Sequence, residues 1–173
     1  IALGVKYDGD FWDFYCGKQG PVTEALPVGC VVTIAASGSE GSTDSVVTLV
    51  TEDGHQYKRC ADGDILRPLF AIMNPELMMT LPPYQTASGL ADIFAHCLER
   101  YFSHTKDCEL TDRMLEAVML TIIKEGRRVM KNPNDYEARA NIMWAAMVAQ
   151  NNSTGVGRAQ DWGTHHMDNE IGI

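Results

Sequence analysis

Residues 80–102 read Thr80-Leu-Pro-Pro-Tyr-Gln-Thr-Ala-Ser-Gly-Leu-Ala-Asp-Ile-Phe-Ala-His-Cys-Leu-Glu-Arg-Tyr-Phe102, and the character of the sequence changes inside this stretch. Proline is tolerated in the first turn of a helix, so Pro83 and Tyr84 are predicted to open a helix that runs to about Phe102. Before this point the chain is rich in Gly, Ser, Thr and Val, with short apolar runs between turn residues, which is typical of strands. The sequence therefore predicts an α/β part in residues 1–82 followed by an all-helical part in residues 83–173.

Within this helix, Asp92 and His96 stand four residues apart. Positions i and i+4 lie one above the other on a helix face, so a carboxylate oxygen and an imidazole nitrogen would point to one place, as two ligands of a divalent metal do. His165, in Asp161-Trp-Gly-Thr-His165, could supply a third ligand. The pair alone favours a plainer interpretation, with a solvated Asp92 and a core His96 bonded to a backbone carbonyl.

The remaining elements are predicted from periodicity and turn residues. Asp53-Gly54 is the expected turn of a hairpin, and Asn134 with Glu137 has the spacing of a capping box. Strands are predicted at 29–36, 45–50, 55–58 and 70–73, with the first buried on both faces and the second and third forming the hairpin. Further helices are predicted at 111–131, at 134–150 and from Asp161 onward. The first of these helices would carry an apolar stripe that includes Met130.

Composition excludes several classes of protein. The net charge is −9, and the 14 basic residues form no cluster longer than Arg127-Arg128, which argues against a nucleic-acid or anionic-membrane surface. The five cysteines are scattered, without a Cys-x-x-Cys pair, and read as free thiols in a reducing compartment. With neither a signal peptide nor a membrane-length apolar run, a cytoplasmic protein is expected.

Six stretches, in order, resemble the iron-containing, NAD(P)-dependent alcohol dehydrogenases, in their butanol-dehydrogenase-like branch. Together they extend over nearly the whole chain. They are Tyr7-Asp-Gly-Asp-Phe-Trp-Asp13, Thr33-Ile-Ala-Ala-Ser-Gly-Ser-Glu40, Arg67-Pro-Leu-Phe-Ala-Ile-Met-Asn-Pro-Glu76, the segment 80–96, Tyr136-Glu-Ala-Arg-Ala-Asn-Ile-Met-Trp144 and Asp161-Trp-Gly-Thr-His165.

The resemblance implies a fold and a reaction. Residues 1–82 would be the C-terminal part of a Rossmann-like nucleotide-binding domain, and residues 83–173 the N-terminal part of a helical metal-binding domain, in a dehydroquinate-synthase-like architecture. The expected reaction is metal-assisted hydride transfer between a primary alcohol or aldehyde and NAD(P). Fe2+ or Zn2+ would serve, since carboxylate and imidazole ligands do not choose between them.

The resemblance also implies the site residues. Asp92, His96 and His165 match the family's metal ligands, with His165 favoured over His166 as the third. Thr33, Ser37, Ser39 and Lys58 would lie beside the dinucleotide. Without the resemblance, the Ser37 segment would be an ordinary turn and Lys58 a solvated surface charge. No catalytic residue is expected beyond the metal ligands.

Three departures from the family pattern shape the expected activity. The glycine-rich phosphate loop would precede Ile1, and a fourth ligand histidine would fall beyond Ile173, so an internal fragment of the enzyme is expected. The isolated 173-residue chain is therefore not expected to oxidise alcohols at a measurable rate. Asn169 stands where the family commonly has another histidine, and an amide cannot relay a proton. The alternative is a non-catalytic fragment that binds metal or oligomerises; a zinc polyol dehydrogenase or a dehydroquinate-synthase-like lyase is disfavoured by the Trp-Gly-Thr-His and Thr-Leu-Pro-Pro contexts. An exposed sheet edge would favour a homo-oligomer.

Overall fold

The structure, a computed structural model, describes residues 1–172. Along this range it has four α-helices and four strands, with short 3-10 turns between them. The strands are β1 (Gly29–Val31), β2 (Asp44–Val50), β3 (Gln56–Asp62) and β4 (Phe70–Ile72), and the helices are α1 (Pro83–Tyr101), α2 (Glu109–Lys131), α3 (Tyr136–Gln150) and α4 (Gly163–Ile171). None of the helices in this range is both long and apolar enough to cross a lipid bilayer.

The chain divides into two compact units whose boundaries differ from the predicted division at Pro82. The first unit contains Ile1–Gly29, Thr43–Phe70 and the segment from Trp162 onward. The second contains Cys30–Ser42 and Ala71–Asp161. The predicted assignment of residues 1–82 and 83–173 to a nucleotide-binding and a metal-binding domain stays a prediction.

The first unit is built on the predicted hairpin. Strands β2 and β3 pair antiparallel, from Asp44 opposite Asp62 to Val50 opposite Gln56. Gly54, at a φ of +85°, occupies the left-handed position that a tight turn needs and that glycine adopts without strain. A small apolar core lies beside the hairpin, formed by Leu3, Tyr15, Val22 and Ala61. The hairpin prediction is confirmed, with a longer second strand than expected.

The second unit is a helical core. Helices α1, α2 and α3 pack on one another. Their contact is apolar because each helix repeats small or aliphatic residues at helical spacing. The fully or almost fully buried members of this core include Ile93, Cys97, Leu115, Val129, Ala138, Met143, Ala146 and Ala149.

Three sequence predictions were wrong in detail. The run 29–36 forms a strand only over Gly29–Val31, and Val31 is 53% exposed, so it is not buried on both faces. Met130, assigned to the apolar stripe of α2, is 46% exposed. The last helix begins at Gly163, after Trp162 in a left-handed conformation, and not at Asp161.

The N-cap of α3 was also mispredicted. It is Asp135 and not Asn134, and its Oδ1 accepts a hydrogen bond from the backbone N–H of Ala138 at 3.0 Å. Arg128 on α2 donates to both carboxylate oxygens of Asp135, at 2.9 to 3.0 Å. The two oxygens of the Asp135 carboxylate thus satisfy the helix end and the arginine together, and the negative charge strengthens the hydrogen bonds from Arg128.

Candidate metal centre and cofactor segment

Asp92 and His96 project from one face of α1, as predicted. The His96 Nε2 and Asp92 Oδ1 atoms are 3.9 Å apart. The His96 side chain is 4% exposed and the Asp92 side chain 34% exposed. His96 is buried because its neighbours Ile93 and Cys97 lie in the core of the second unit. The result is an imidazole fixed by packing beside a carboxylate that still reaches the surface.

The spacing of this pair fits a shared divalent cation. A distance of 3.9 Å is too long for a hydrogen bond between the two atoms. It is shorter than two metal–ligand bonds of about 2.1 Å each, so one ion could contact both atoms. A carboxylate oxygen and an imidazole nitrogen are ligands that both Fe2+ and Zn2+ accept. The donor set and its geometry therefore suit the expected metal.

His165 lies on α4, in the first unit, and the structure distinguishes it from its neighbour. The His165 ring packs edge-on against Trp162, with ring centroids 5.5 Å apart and an interplanar angle of 89°. His165 is half-buried, whereas His166 is exposed. A ligand histidine needs an oriented ring, which a packed side chain has and a free surface side chain lacks. The assignment of His165 as a third ligand stays a prediction.

The predicted cofactor residues Thr33, Ser37 and Ser39 are exposed and lie on an irregular segment of the second unit. Two glycines hold this segment in place. A Cβ at Gly89, one turn before Asp92 on α1, would collide with the carbonyl oxygen of Ala35. Gly38 has a φ of +59°, and a Cβ there would lie 2.5 Å from the carbonyl oxygen of Ala146 on α3.

The close approach at Gly89 brings the segment 33–40 against the same helix that carries Asp92 and His96. The hydroxyl-bearing residues thereby sit on a backbone supported from both α1 and α3. Turn hydrogen bonds stiffen its end, from the Gly41 N–H to the Gly38 carbonyl at 3.0 Å and from the Ser42 N–H to the Ser39 carbonyl at 3.3 Å. The contact of Thr33, Ser37 and Ser39 with a dinucleotide stays a prediction.

Lys58 is engaged in an ion pair within the first unit. Its Nζ lies 2.6 Å from Oδ2 of Asp168 on α4, and its side chain is 28% exposed. The adjacent Arg59 pairs in the same way with Glu170, also at 2.6 Å. These two pairs tie β3 to α4, so Lys58 is more than a solvated surface charge. Its predicted approach to the nucleotide remains a prediction.

Sequence reasoning missed the environment of Glu40. This residue is 8% exposed, and its Oε1 has no hydrogen-bond partner among residues 1–172. Burial raises the pKa of the Glu40 carboxyl, and burial together with the nearby Glu40 charge raises the pKa of the Cys30 thiol. An acidic residue in a Gly- and Ser-rich segment is normally exposed, so nothing in the sequence signalled this burial.

Replacing Glu40 with glutamine is expected to remove a pH dependence of stability. Because its pKa is raised on folding, Glu40 favours the folded state when protonated, and this contribution is lost as the pH rises from about 4.3 through the folded-state pKa. Glu40→Gln should therefore flatten this pH dependence and raise the free energy of unfolding at pH 7 relative to its change at pH 4. Urea unfolding of wild type and variant at several pH values measures it.

The control is Glu24→Gln, at an exposed position. If Glu40→Gln and Glu24→Gln change the free energy of unfolding alike from acid to neutral pH, the buried carboxyl does not titrate as described.

Residues 86–173, which include Asp92, His96 and His165, match the family described as Fe-containing alcohol dehydrogenase family, C-terminal. The chain belongs to the iron-containing alcohol dehydrogenase family. The predicted family resemblance is therefore confirmed.

Relatives within this family extend the match to the whole chain. The NADPH-dependent aldehyde reductase YqhD of Escherichia coli is 39% identical over 173 residues, covering 99% of this chain and 44% of the relative. The NADH-dependent butanol dehydrogenase A of Clostridium acetobutylicum is 37% identical over 171 residues, covering 99% of this chain and 43% of the relative. The chain thus spans less than half the length of either protein.

The fold of this chain is similar to that of a solved structure from the same family. The NADH-dependent butanol dehydrogenase A of Thermotoga maritima matches 99% of this chain and 43% of its own, with a TM-score of 0.90 and 34% sequence identity. The α/β character with four helices in residues 1–172 is consistent with this relative. Relatives in the family are alcohol and aldehyde oxidoreductases that use NADH or NADPH.

Proposed function

We propose that the chain forms part of an iron-type, NAD(P)-dependent oxidoreductase that interconverts primary alcohols and aldehydes. The observation that carries this proposal is the Asp92–His96 pair, 3.9 Å apart on one helix face, inside the segment that matches the family. In this proposal residues 1–82 are the C-terminal part of a nucleotide-binding domain, and residues 83–173 are the N-terminal part of a helical metal-binding domain.

Asp92, His96 and His165 are the proposed holders of the metal. Fe2+ or Zn2+ held there would supply the Lewis acid that makes an alcohol hydroxyl acidic or an aldehyde carbonyl electrophilic. Asp92 contributes a negative charge that favours a cation, and the burial of His96 keeps its imidazole oriented and shields it from water. Support for His165 over His166 is its packing against Trp162.

The cofactor would be NADH or NADPH, since the relatives include proteins named for each. The exposed hydroxyls of Thr33, Ser37 and Ser39 can donate to and accept from a dinucleotide, and the Lys58 ammonium suits a phosphate or ribose. In this proposal, support for Thr33, Ser37 and Ser39 is the rigid backbone that Gly38 and Gly89 permit.

A homo-oligomer is part of the proposal. Large apolar side chains on the short strands β1 and β4 are exposed, namely Val31 at 53%, Phe70 at 62% and Ile72 at 52%. Exposed apolar surface on and beside short paired strands favours association with another chain.

A second candidate is a non-catalytic module that binds metal or oligomerises. Asn169, four residues after His165, favours it, because an amide cannot pass on a proton in the way an imidazole does. An assay with butanal, NADH or NADPH and anaerobically added Fe2+, run on these residues in place of the matching segment of a full-length relative, separates the two candidates. Aldehyde-dependent oxidation of the cofactor that is lost in Asp92→Asn indicates catalysis, and its absence in a chain that binds metal favours the module.

The neighbouring histidines provide a matched test of the metal site. His165→Ala should weaken the binding of Zn2+ or anaerobic Fe2+ by about tenfold or more. Loss of a residue that only hydrogen-bonds to a metal ligand already costs about tenfold in affinity, and loss of the ligand itself should cost at least as much. His166→Ala, its exposed neighbour, should leave the affinity unchanged. Calorimetric titration with one site per chain is the measurement.

Two outcomes would contradict the proposal. Equal affinities for wild type and His165→Ala would remove His165 from the ligand set. No binding of Zn2+ or Fe2+ by wild type would remove the metal site altogether.

A further inference from the structure

Two buried arginines meet where the helices of the second unit end. Arg100, in the last turn of α1, is 2% exposed, and Arg158, in the loop after α3, is 9% exposed. Arginine is seldom buried unless its charge and its donors are satisfied. These two side chains therefore mark a place where the fold has assembled a specific set of acceptors.

The Arg100 guanidinium collects acceptors from the end of α3 and from the following loop. It donates to the carbonyl oxygen of Ala149, to that of Gln150 at 3.4 Å and to Oγ1 of Thr154 at 3.3 Å. Its Nε donates to Oε1 of Gln160 at 2.7 Å. The last carbonyls of a helix lack partners within the helix and carry partial negative charge, so a buried cation stabilises them.

Arg158 donates hydrogen bonds to the end of α1 and to the start of α2. Its Nη1 donates to the backbone carbonyl of Arg100 at 2.6 Å. Its Nη2 donates to Oγ1 of Thr111 at 2.9 Å and to the carboxylate of Asp112, in the first turn of α2. The two arginines thus join the ends of α1 and α3 and the start of α2. We call Arg100, Arg158, Thr154 and Gln160 the arginine clasp.

Gln160 closes the loop on itself. While its Oε1 accepts from Arg100, its Nε2 donates to Oδ1 of Asn152 at 2.9 Å and to the carbonyl of Gly155 at 3.3 Å. A Cβ at Gly155 would collide with the side chains of Asn152 and Gln160, so the turn is tight. The loop 151–160 is held by side-chain hydrogen bonds of its own in addition to those from α1.

The position of the clasp on α1 relates it to the metal pair. Asp92, His96 and Arg100 follow one another at intervals of four residues, so they lie along one face of the helix. At the other end of the clasp, Gln160 precedes His165 by five residues in the chain. A single set of hydrogen bonds therefore ties the helix that carries two proposed ligands to the loop that leads to the third.

We propose that the arginine clasp is a positioning device for the metal site. By ordering the loop 151–160 before metal binds, it removes conformational freedom that binding would otherwise have to remove. Neither Arg100 nor Gln160 is a ligand in this proposal; both act through the backbone that carries the ligands. The inference rests on the metal site proposed above.

The test is Co2+ binding by the full chain, followed by the visible spectrum of the bound ion and by hydrogen exchange of the loop. Arg100→Gln should weaken Co2+ binding by about tenfold to a hundredfold, the range seen when groups that orient ligands are lost. Arg100→Lys should recover part of the affinity, because lysine keeps the charge but not the planar fork. Arg127→Gln, at an exposed arginine of α2, is the control and should bind as wild type does.

Binding and loop order should be linked in both directions. Without Co2+, amide exchange in residues 151–160 should be slow in wild type and fast in Arg100→Gln. Saturating Co2+ should slow this exchange more in Arg100→Gln than in wild type, because the metal then supplies order that the clasp no longer supplies and the coupling is reciprocal. A purely structural Arg100 would lower stability without changing Co2+ affinity or this protection in the folded variant.

Circular dichroism establishes which variants fold. If Arg100→Gln does not fold, Gln160→Ala takes its place as the test variant, because it removes the hydrogen bond between Arg100 and Gln160 of the loop and leaves Arg100 with its carbonyl acceptors. If the folded test variant binds Co2+ with wild-type affinity, the positioning role is overturned and the proposed metal site is not. Wild type that binds no Co2+ would overturn the metal site and this inference with it. Reduced affinity in the clasp variants, with Arg127→Gln unchanged, is the supporting result.

Discussion

His96→Ala is expected to lower the affinity for Fe2+ or Zn2+ by at least about a hundredfold, or about 2.7 kcal/mol, the largest effect on binding that any single side chain here should have. The reason is its setting. The imidazole is 4% exposed and fixed beside the Asp92 carboxylate, so a metal gains a preoriented nitrogen ligand, and no other histidine lies on α1 to replace it. Competition with a chromophoric chelator measures the dissociation constant.

Two variants make this result interpretable. Asp92→Asn should also weaken binding strongly, because it removes the negative charge at nearly unchanged shape. His104→Ala, at an exposed histidine just after α1, should not change it. Wild-type affinity in His96→Ala, with the fold intact by circular dichroism, would show that the pair on α1 is not a metal site.

Leu115→Ala is expected to lower the free energy of unfolding by about 2–5 kcal/mol, a large share of the roughly 5–15 kcal/mol that holds a typical domain together. Leu115 is 0% exposed and belongs to the core formed by α1, α2 and α3. Truncation removes its buried methyl groups and leaves a cavity that packed helices refill only in part. Urea unfolding followed by circular dichroism measures the loss.

Leu120 on the same helix is the matched control. It is 66% exposed, so Leu120→Ala should change the free energy of unfolding by no more than about 0.5 kcal/mol. Similar losses for the two leucines would mean that the core does not run along the Leu115 face of α2.

Features that depend on local sequence were predicted well. Helices α1 and α2 begin and end within about two residues of the predicted positions, because their apolar periodicity extends over several turns. The Asp53-Gly54 turn and the pairing of β2 with β3 were predicted for a similar reason, since a two-residue signal between β-forming runs leaves few alternatives. The spacing of Asp92 and His96 on one helix face belongs to the same class.

Features that depend on distant residues were not predicted. Gly89 is ordinary as a helix residue, and only the Ala35 carbonyl against it explains why it cannot carry a side chain. The burial of Glu40 and the arginine clasp are of this kind as well, because both arise where segments far apart in the chain meet.

Sequence alone determined the helix that carries the ligand pair and the hairpin, because both depend on the spacing of residues close together in the chain. It also determined the family, because the family is identified by the order of its motifs. The tertiary structure decided which polar groups are buried and what satisfies them. Thus Asp135 caps α3 and also accepts from Arg128 on α2, and Arg100 is buried where α3 and its loop supply acceptors. The free energy of a buried charge depends on partners that only folding brings within hydrogen-bonding distance.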